Sequence, residues 1–321
     1  MKRHLFATIL AVLASAGGAR AQAKYLPESN NAALRYWAAL VQMRDNPTGD
    51  EAKQKILSAV VRGEGWDEAK YGPVVDAYED SIETMQRGTK LPECNWGLDY
   101  QVGQLNTVEM LMRSRGLEEL NTAQGVRELA KGDSKAAVET WLAGIRFSQD
   151  VGRGGPVIFA LVGSALLMDT LEGAAKYAAP GKLAEAEREE LYAAVKAMPE
   201  DGFDWGVAWG VETAMGEESL RKLEKGDDAR AYFKRMGMPV PKGVPPTQED
   251  VPKYSEFMLA AQGALREPPE KAKAVLEDME SRERKLSMVV QLMIAGPAKC
   301  NAARAKLVAA REGLMQALAS R

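Results

Sequence analysis

The chain has 321 residues, 42 of them basic and 45 acidic, with one histidine and two cysteines. A net charge of −3 offers no basic surface from which a nucleic-acid partner could be argued. Two cysteines cannot build a four-cysteine zinc site or an iron–sulfur cluster.

The first residues read as an export signal, expected over 1–21. Lys2, Arg3 and His4 form a basic start, Leu5 to Ala16 an apolar run too short to span a bilayer, and Ala19-Arg20-Ala21 a small-x-small cleavage site. Cleavage after Ala21 leaves Gln22 as the new N-terminus, and cleavage after Ala23 leaves Lys24. Loss of Lys2, Arg3 and Arg20 moves the net charge from −3 to −6. His4 leaves as well, which removes Ser-His-Asp and Cys-His catalysis and every imidazole metal ligand. No metal or cofactor is therefore expected, and any catalysis would fall to carboxylate, lysine, tyrosine, arginine or serine chemistry.

Helical periodicity dominates the rest of the chain. Ser29 or Asn30 can cap a first helix whose Ala33, Leu34, Trp37, Leu40 and Val41 share a face. Asp50 opens a second helix, and a third is expected from Pro73 to Arg87, stopped by Gly88. Thr89 to Val102 reads as irregular. A long helix then runs from Asn106 or Thr107 to Lys131, Gly132-Asp133 turns the chain, and another helix carries Trp141 and Ile145. Gly152 to Gly155 breaks that helix, and an apolar helix from Pro156 to about Tyr177 reads as a buried centre, since no stretch after the signal reaches the length of a membrane span. Helices around Leu191 and from Asp201 to Lys225 come next, then a proline-rich linker over 238–252, then three more helices.

The expected fold is all-α without a β-sheet: an array of antiparallel helical hairpins over 22–237, and C-terminal helices over 253–321 packing on it. The turn Lys131 to Ala137 looks like one from a tetratricopeptide unit, but no ~34-residue repeat recurs, so the similarity is one of architecture only.

Two clusters are candidate ligand-binding sites. Trp96, Asp99 and Tyr100 share an irregular loop, with a structural plug as the alternative role. Trp205, Trp209 and Glu212 share a helix face, among the acids Glu200, Asp201, Asp204, Glu217 and Glu218. Paired acids beside aromatic platforms are how glycosidases hold and cleave sugars, whereas the same spacing is more commonly half core and half rim. Cys94 and Cys300 are a candidate disulfide in an oxidising compartment.

Asn31-Ala32-Ala33-Leu34-Arg35-Tyr36-Trp37, Pro92-Glu93-Cys94-Asn95-Trp96, Gly132-Asp133, and Gly155-Pro156 with Leu161-Val162-Gly163 resemble, in that order, the landmarks of a group of uncharacterised exported helical proteins of planctomycete-type bacteria. The resemblance covers roughly residues 29 to 170 and implies export and a helical fold, but no activity and no functional residue. Gly313-Leu314-Met315-Gln316 is similar to a segment of lytic transglycosylases, yet no Glu-Ser pair precedes it at the expected place.

The function expected is thus a non-catalytic helical scaffold or protein-binding module of the cell envelope, partnered by another envelope protein. The alternatives are a carboxylate-dependent glycan hydrolase and a carrier of an apolar ligand. N-terminal sequencing of the protein from its host should begin at Gln22 or Lys24; an intact Met1 overturns the export reading.

Overall fold

The structure is a computed structural model that describes residues 30–98, 105–178, 181–224, 231, 234, 249–294 and 296–320. The signal expectation over 1–21 lies outside these residues, as does the proline-rich stretch up to 248. Among the described residues there are thirteen α-helices and no strand; one isolated bridge pairs Asn31 with Glu93. The all-α expectation holds.

The first half opens with capped helices. Helix α1 (Ala32–Gln42) is capped by Asn31, one residue beyond the expected caps, because the Asn31 side chain accepts from Ala33 N–H. Asp50 caps α2 (Glu51–Val61), and Asp67 caps α3 (Glu68–Asp76). The single helix expected from Pro73 to Arg87 is two, α3 and α4 (Glu79–Thr89), with Pro73 inside the first. The break falls at Ala77-Tyr78, where the Tyr78 ring enters the core and its hydroxyl donates to Asp45 at 2.7 Å. Helices α5 (Leu105–Ala130), α6 (Ser134–Gly152) and α7 (Val157–Tyr177) come next. The α5–α6 turn uses Gly132 at φ +86° and the cap Asp133, which accepts from Ala136 N–H.

The second half holds α8 (Glu185–Ala197), α9 (Trp205–Glu224), α10 (Asp250–Ala264), α11 (Pro269–Glu283), the short α12 (Met288–Met293) and α13 (Pro297–Ala319). Four helices therefore come after the proline-rich stretch where three were expected. Helix α10 begins at Asp250, so Pro252 lies in its first turn, where a missing N–H breaks no intrahelical bond.

Two apolar cores organise these helices. One is built from α1 to α8 and the far half of α13; the other from α9 to α12 with Val157 and Ala160 of α7 and Cys300 of α13. Helices α7 and α13 pack on each other and take part in both cores. Pairings such as α1 with α4 and α7 with α13 join elements remote in sequence, unlike the nearest-neighbour stacking of a repeat array. By length and composition α7 could cross a membrane, but 61% of its most apolar window is buried against other helices. It is the central helix expected.

Close contact of α6 with α7 depends on glycine. A Cβ on Gly163 would stand 2.4 Å from the Cα of Gly152, a backbone atom with no rotamer to yield. Gly163→Ala should therefore lower stability by about 1–3 kcal/mol, the range for overpacking, with the helical content kept. Urea unfolding followed by circular dichroism measures this; an unchanged midpoint overturns the close-packing argument.

Candidate functional site

The loop after α4 is the first candidate. Asn31 binds it from both sides: its Nδ2 donates to Asn95 O at 2.8 Å and its Oδ1 accepts from Asn95 N–H at 2.8 Å. Trp96 is 4% exposed, and its Nε1 donates to Asp150 O at 2.9 Å. Trp37 Nε1 donates to Trp96 O at 3.3 Å. The Tyr36 ring lies between Trp96 and Phe147, with centroids 5.6 and 4.9 Å away. Its hydroxyl donates to Asp150 Oδ2 at 2.7 Å, and Arg146 Nε donates to the same oxygen at 3.0 Å. Asp150 is 2% exposed. Burial raises its carboxyl pKa, opposed by Tyr36 and Arg146; burial and the facing Asp150 drive the Tyr36 phenol far above its usual range. A Cβ on Gly154 would meet Trp96 Cδ1 at 2.6 Å, so glycine there makes room for the indole.

Three segments distant in sequence thus form one buried lock. Trp96 fills the plug role rather than a ligand platform. Asp99 and Tyr100, expected beside it, lie outside the described residues.

The disulfide expectation is corrected by the structure. Cys94 and Cys300 are both free thiols. Cys94 packs against the first core beside the lock, whereas Cys300 lies inside the second core, so two different packing layers hold them. Burial pushes both thiols up to about 12, with Asp150 adding to the shift at Cys94 and Glu212 at Cys300. Neither is a thiolate near neutral pH, and neither is a ready nucleophile or exchange partner.

The second candidate cluster also separates into structural roles. Trp205 is 2% exposed with Nε1 donating to Asp201 O at 3.0 Å; Trp209 is fully buried with Nε1 donating to Met258 O at 2.8 Å. Neither indole offers a face to a sugar. Glu212 Oε2 accepts from Val157 N–H at 3.1 Å, and burial raises its pKa. It thereby serves an orphan donor at the start of α7, where Pro156 occupies the cap position without a side-chain hydrogen bond. Asp201 pairs with Arg304 at 2.7 Å, and Glu217 with Arg221 at 3.2 Å. Asp204 Oδ1 accepts from Gly206 N–H at 2.8 Å and Glu218 pairs with Lys222 at 2.8 Å, so these acids serve caps and ion pairs.

Unforeseen in the sequence is a third cluster, buried between α5 and α7. Glu118 is fully buried, and its Oε1 lies 2.5 Å from Thr122 Oγ1 and 2.6 Å from Thr170 Oγ1. Its Oε2 has no partner. Glu119, 3% exposed, takes Arg115 Nε at 2.9 Å through Oε1 and leaves Oε2 unpartnered. Asp169 of α7 is half-buried; burial and then the Glu119 charge push it up to about 6. Burial and then Asp169 hold Glu118 well above the carboxylate range. The signal for this cluster was in the sequence: Ser114, Glu118, Asn121, Gly125 and Glu128 recur at helical spacing along α5. No group of three metal-ligating residues suited to an ion occurs among the described residues.

At the surface, α11 and α13 border a groove of about 490 Å³. Leu276, Ala298, Ala302, Ala305 and Val308 line it, with Glu270, Lys273 and Glu277 among its charged residues.

Two measurements test these assignments. Tyr36→Phe leaves a buried carboxylate short of one donor and should cost about 1–3 kcal/mol in urea unfolding; a neutral substitution would show that the lock contributes nothing to stability. Iodoacetamide should label two thiols per chain after unfolding without reductant, read by mass; one or none overturns the free-thiol assignment.

Compared with family models, curated proteins and solved structures, the chain matches none.

Proposed function

We propose that the chain is a non-catalytic helical module of the cell envelope that binds another protein through the α11–α13 groove. The groove carries the reading. Its floor is built from alanines with Leu276 and Val308, which admit a close approach, and charged residues of α11 stand beside it. Such a channel suits an apolar-striped segment of a partner. Arg304 fixes one wall: it is 2% exposed, pairs with Asp201 at 2.7 Å, and donates to Glu267 O at 2.7 Å and to Asn301 Oδ1 at 3.0 Å. A wall held this firmly is pre-organised for binding.

The arrangement gives the rival readings less support. Glycan hydrolysis calls for two convergent acids beside an accessible aromatic platform, and Trp205 and Trp209 are core residues. An apolar carrier calls for an enclosed cavity, and this is a groove at the surface. Export rests on the Lys2 to Ala21 pattern and on the resemblance to exported helical proteins. Within that resemblance, the lock offers a physical role for the segments Asn31 to Trp37 and Pro92 to Trp96, which hold one tryptophan in place.

A photo-crosslinking residue at Ala302, introduced in the native host, should yield a discrete adduct with one envelope protein. The adduct should fall at least tenfold when Leu276→Glu is added, and a crosslinker at exposed Lys135 should not give it. Equal adducts from both positions, or none, overturn the proposal.

A further inference from the structure

We propose that Glu118 is held protonated in the folded chain at neutral pH, and that loss of this proton, shared electrostatically with Asp169, loosens the α5–α7 joint at the centre of the fold. Counting charges gives the first argument. Glu118, Glu119 and Asp169 are gathered in one joint, with Glu172 acting on Asp169 as well. The cations acting there are Arg115 and Lys176. Arg115 is engaged by Glu119, and Lys176 Nζ donates to Val61 O at 3.3 Å. Glu118 is thus left as a fully buried carboxyl without a cation of its own. A buried charge in that position costs several kcal/mol, so the group takes up a proton instead.

Counting hydrogens gives the second. Thr170 Oγ1 stands 2.6 Å from Glu118 Oε1 and 3.1 Å from Leu166 O. A hydroxyl carries one hydrogen, and the Leu166 carbonyl can only accept. Both contacts are hydrogen bonds at once when Thr170 donates to Leu166 and Glu118 donates its own proton to Thr170. The 2.6 Å separation lies within the range of an O–H···O bond. Thr122, 2.5 Å away, can still donate to the same Glu118 oxygen.

The joint has little room to adapt to a charge. A Cβ on Gly173 would meet Thr122 Cγ2 at 2.8 Å, and one on Gly144 would meet Asn121 Nδ2 at 2.9 Å and Thr170 Cγ2 at 3.2 Å. The neighbouring elements bring uncharged groups here: Gly144 from α6, Val61 from α2, Gln86 from α4 (bonded to Asn121), and Asn46 with Pro47 against Gly116. No histidine occurs among the described residues, so a side-chain titration there between pH 5 and 8 falls to displaced carboxyls.

A carboxyl whose folded pKa is raised contributes its stability fully below its unfolded value near 4, and that contribution is lost as pH climbs through the folded value. For Asp169 the loss runs from the unfolded value and is complete above about 6, and for Glu118, which is raised as well, it extends above the ordinary carboxylate range.

Melting temperatures of the full chain and of Glu118→Gln, measured from pH 5 to 8, test this. The difference should move in favour of the variant by several degrees as pH rises, because glutamine has no charge to expose. A constant difference, or one moving the other way, overturns the proposal. Infrared spectra of protein carrying carboxyl-13C glutamate give a second reading. An isotope-shifted carboxylic acid band should be present at pH 7 and be reduced in Glu118→Gln; its absence from the wild-type protein at pH 7, or an undiminished band in the variant, overturns the proposal.

Discussion

The packing of α7 against α13 is the constraint on which the rest of this fold depends. Each helix is divided between the two cores, Val157 and Ala160 on one side and Phe159, Leu166 and Leu171 on the other. Neither core can be assembled fully without both helices, so the chain must bring α7 and α13 together before its apolar surface is buried. That is a long-range contact, made after a large loss of chain entropy. Glycine at 152 and 163 lets α6 approach α7 at backbone distance, and Glu212 supplies an acceptor to the first N–H of α7. Both features fix the position of α7 from outside its own sequence.

Polar groups in this interior divide into two kinds. Asp150 is fully served: a phenol, a guanidinium and, through its backbone carbonyl, an indole all meet it. Removing one partner there strands the others, which makes the lock cooperative. Glu118 has two hydroxyls for one oxygen and nothing for the other. Burial raises both carboxyls, but at Asp150 the phenol and the guanidinium oppose it, whereas Glu118 has two hydroxyls and no cation. Two buried acids on neighbouring helices thus differ in how far their partners offset burial.

How much of this was legible in the sequence depends on whether a signal is local. Asp50, Gly132-Asp133 and the apolar run of α7 act within a few residues of themselves, and the helices they imply are where the periodicity placed them. The break at Tyr78 was not legible, because Asp45, more than thirty residues away, helps hold the tyrosine there. Cys94 and Cys300 share a residue type and a suitable compartment, but sequence carries no distance, and two cores hold them apart. Trp205, Trp209 and Glu212 were correctly placed on one helix; that this stretch is buried beneath α10 and α7 is a tertiary fact that helical phase alone does not contain. The Glu118 stripe was legible in phase and passed over, because apolar periodicity by itself assigns a glutamate on a long helix to solvent.

The distribution of polar groups also bears on what kind of protein this is. Catalytic acids and bases need a perturbed pKa together with access to a reacting atom. Among the described residues Tyr36, Glu118 and Cys300 are strongly perturbed and buried in structural surroundings, whereas Lys53, raised by its bonds to Asp45 and Tyr78, is accessible but held in that ion pair. The accessible groove, in contrast, is lined by alanine, leucine and valine with charged residues beside it. The buried Glu118 joint and the groove are built from different helices, α5 and α7 against α11 and α13. A surface that recognises and an interior that responds to protonation can then act independently, unless α13 connects them. It lines the groove with Ala302, Ala305 and Val308 while its Leu307, Leu314 and Leu318 lie in the core that also surrounds α5 and α7. Any loosening of that core would reach the groove wall through this one helix.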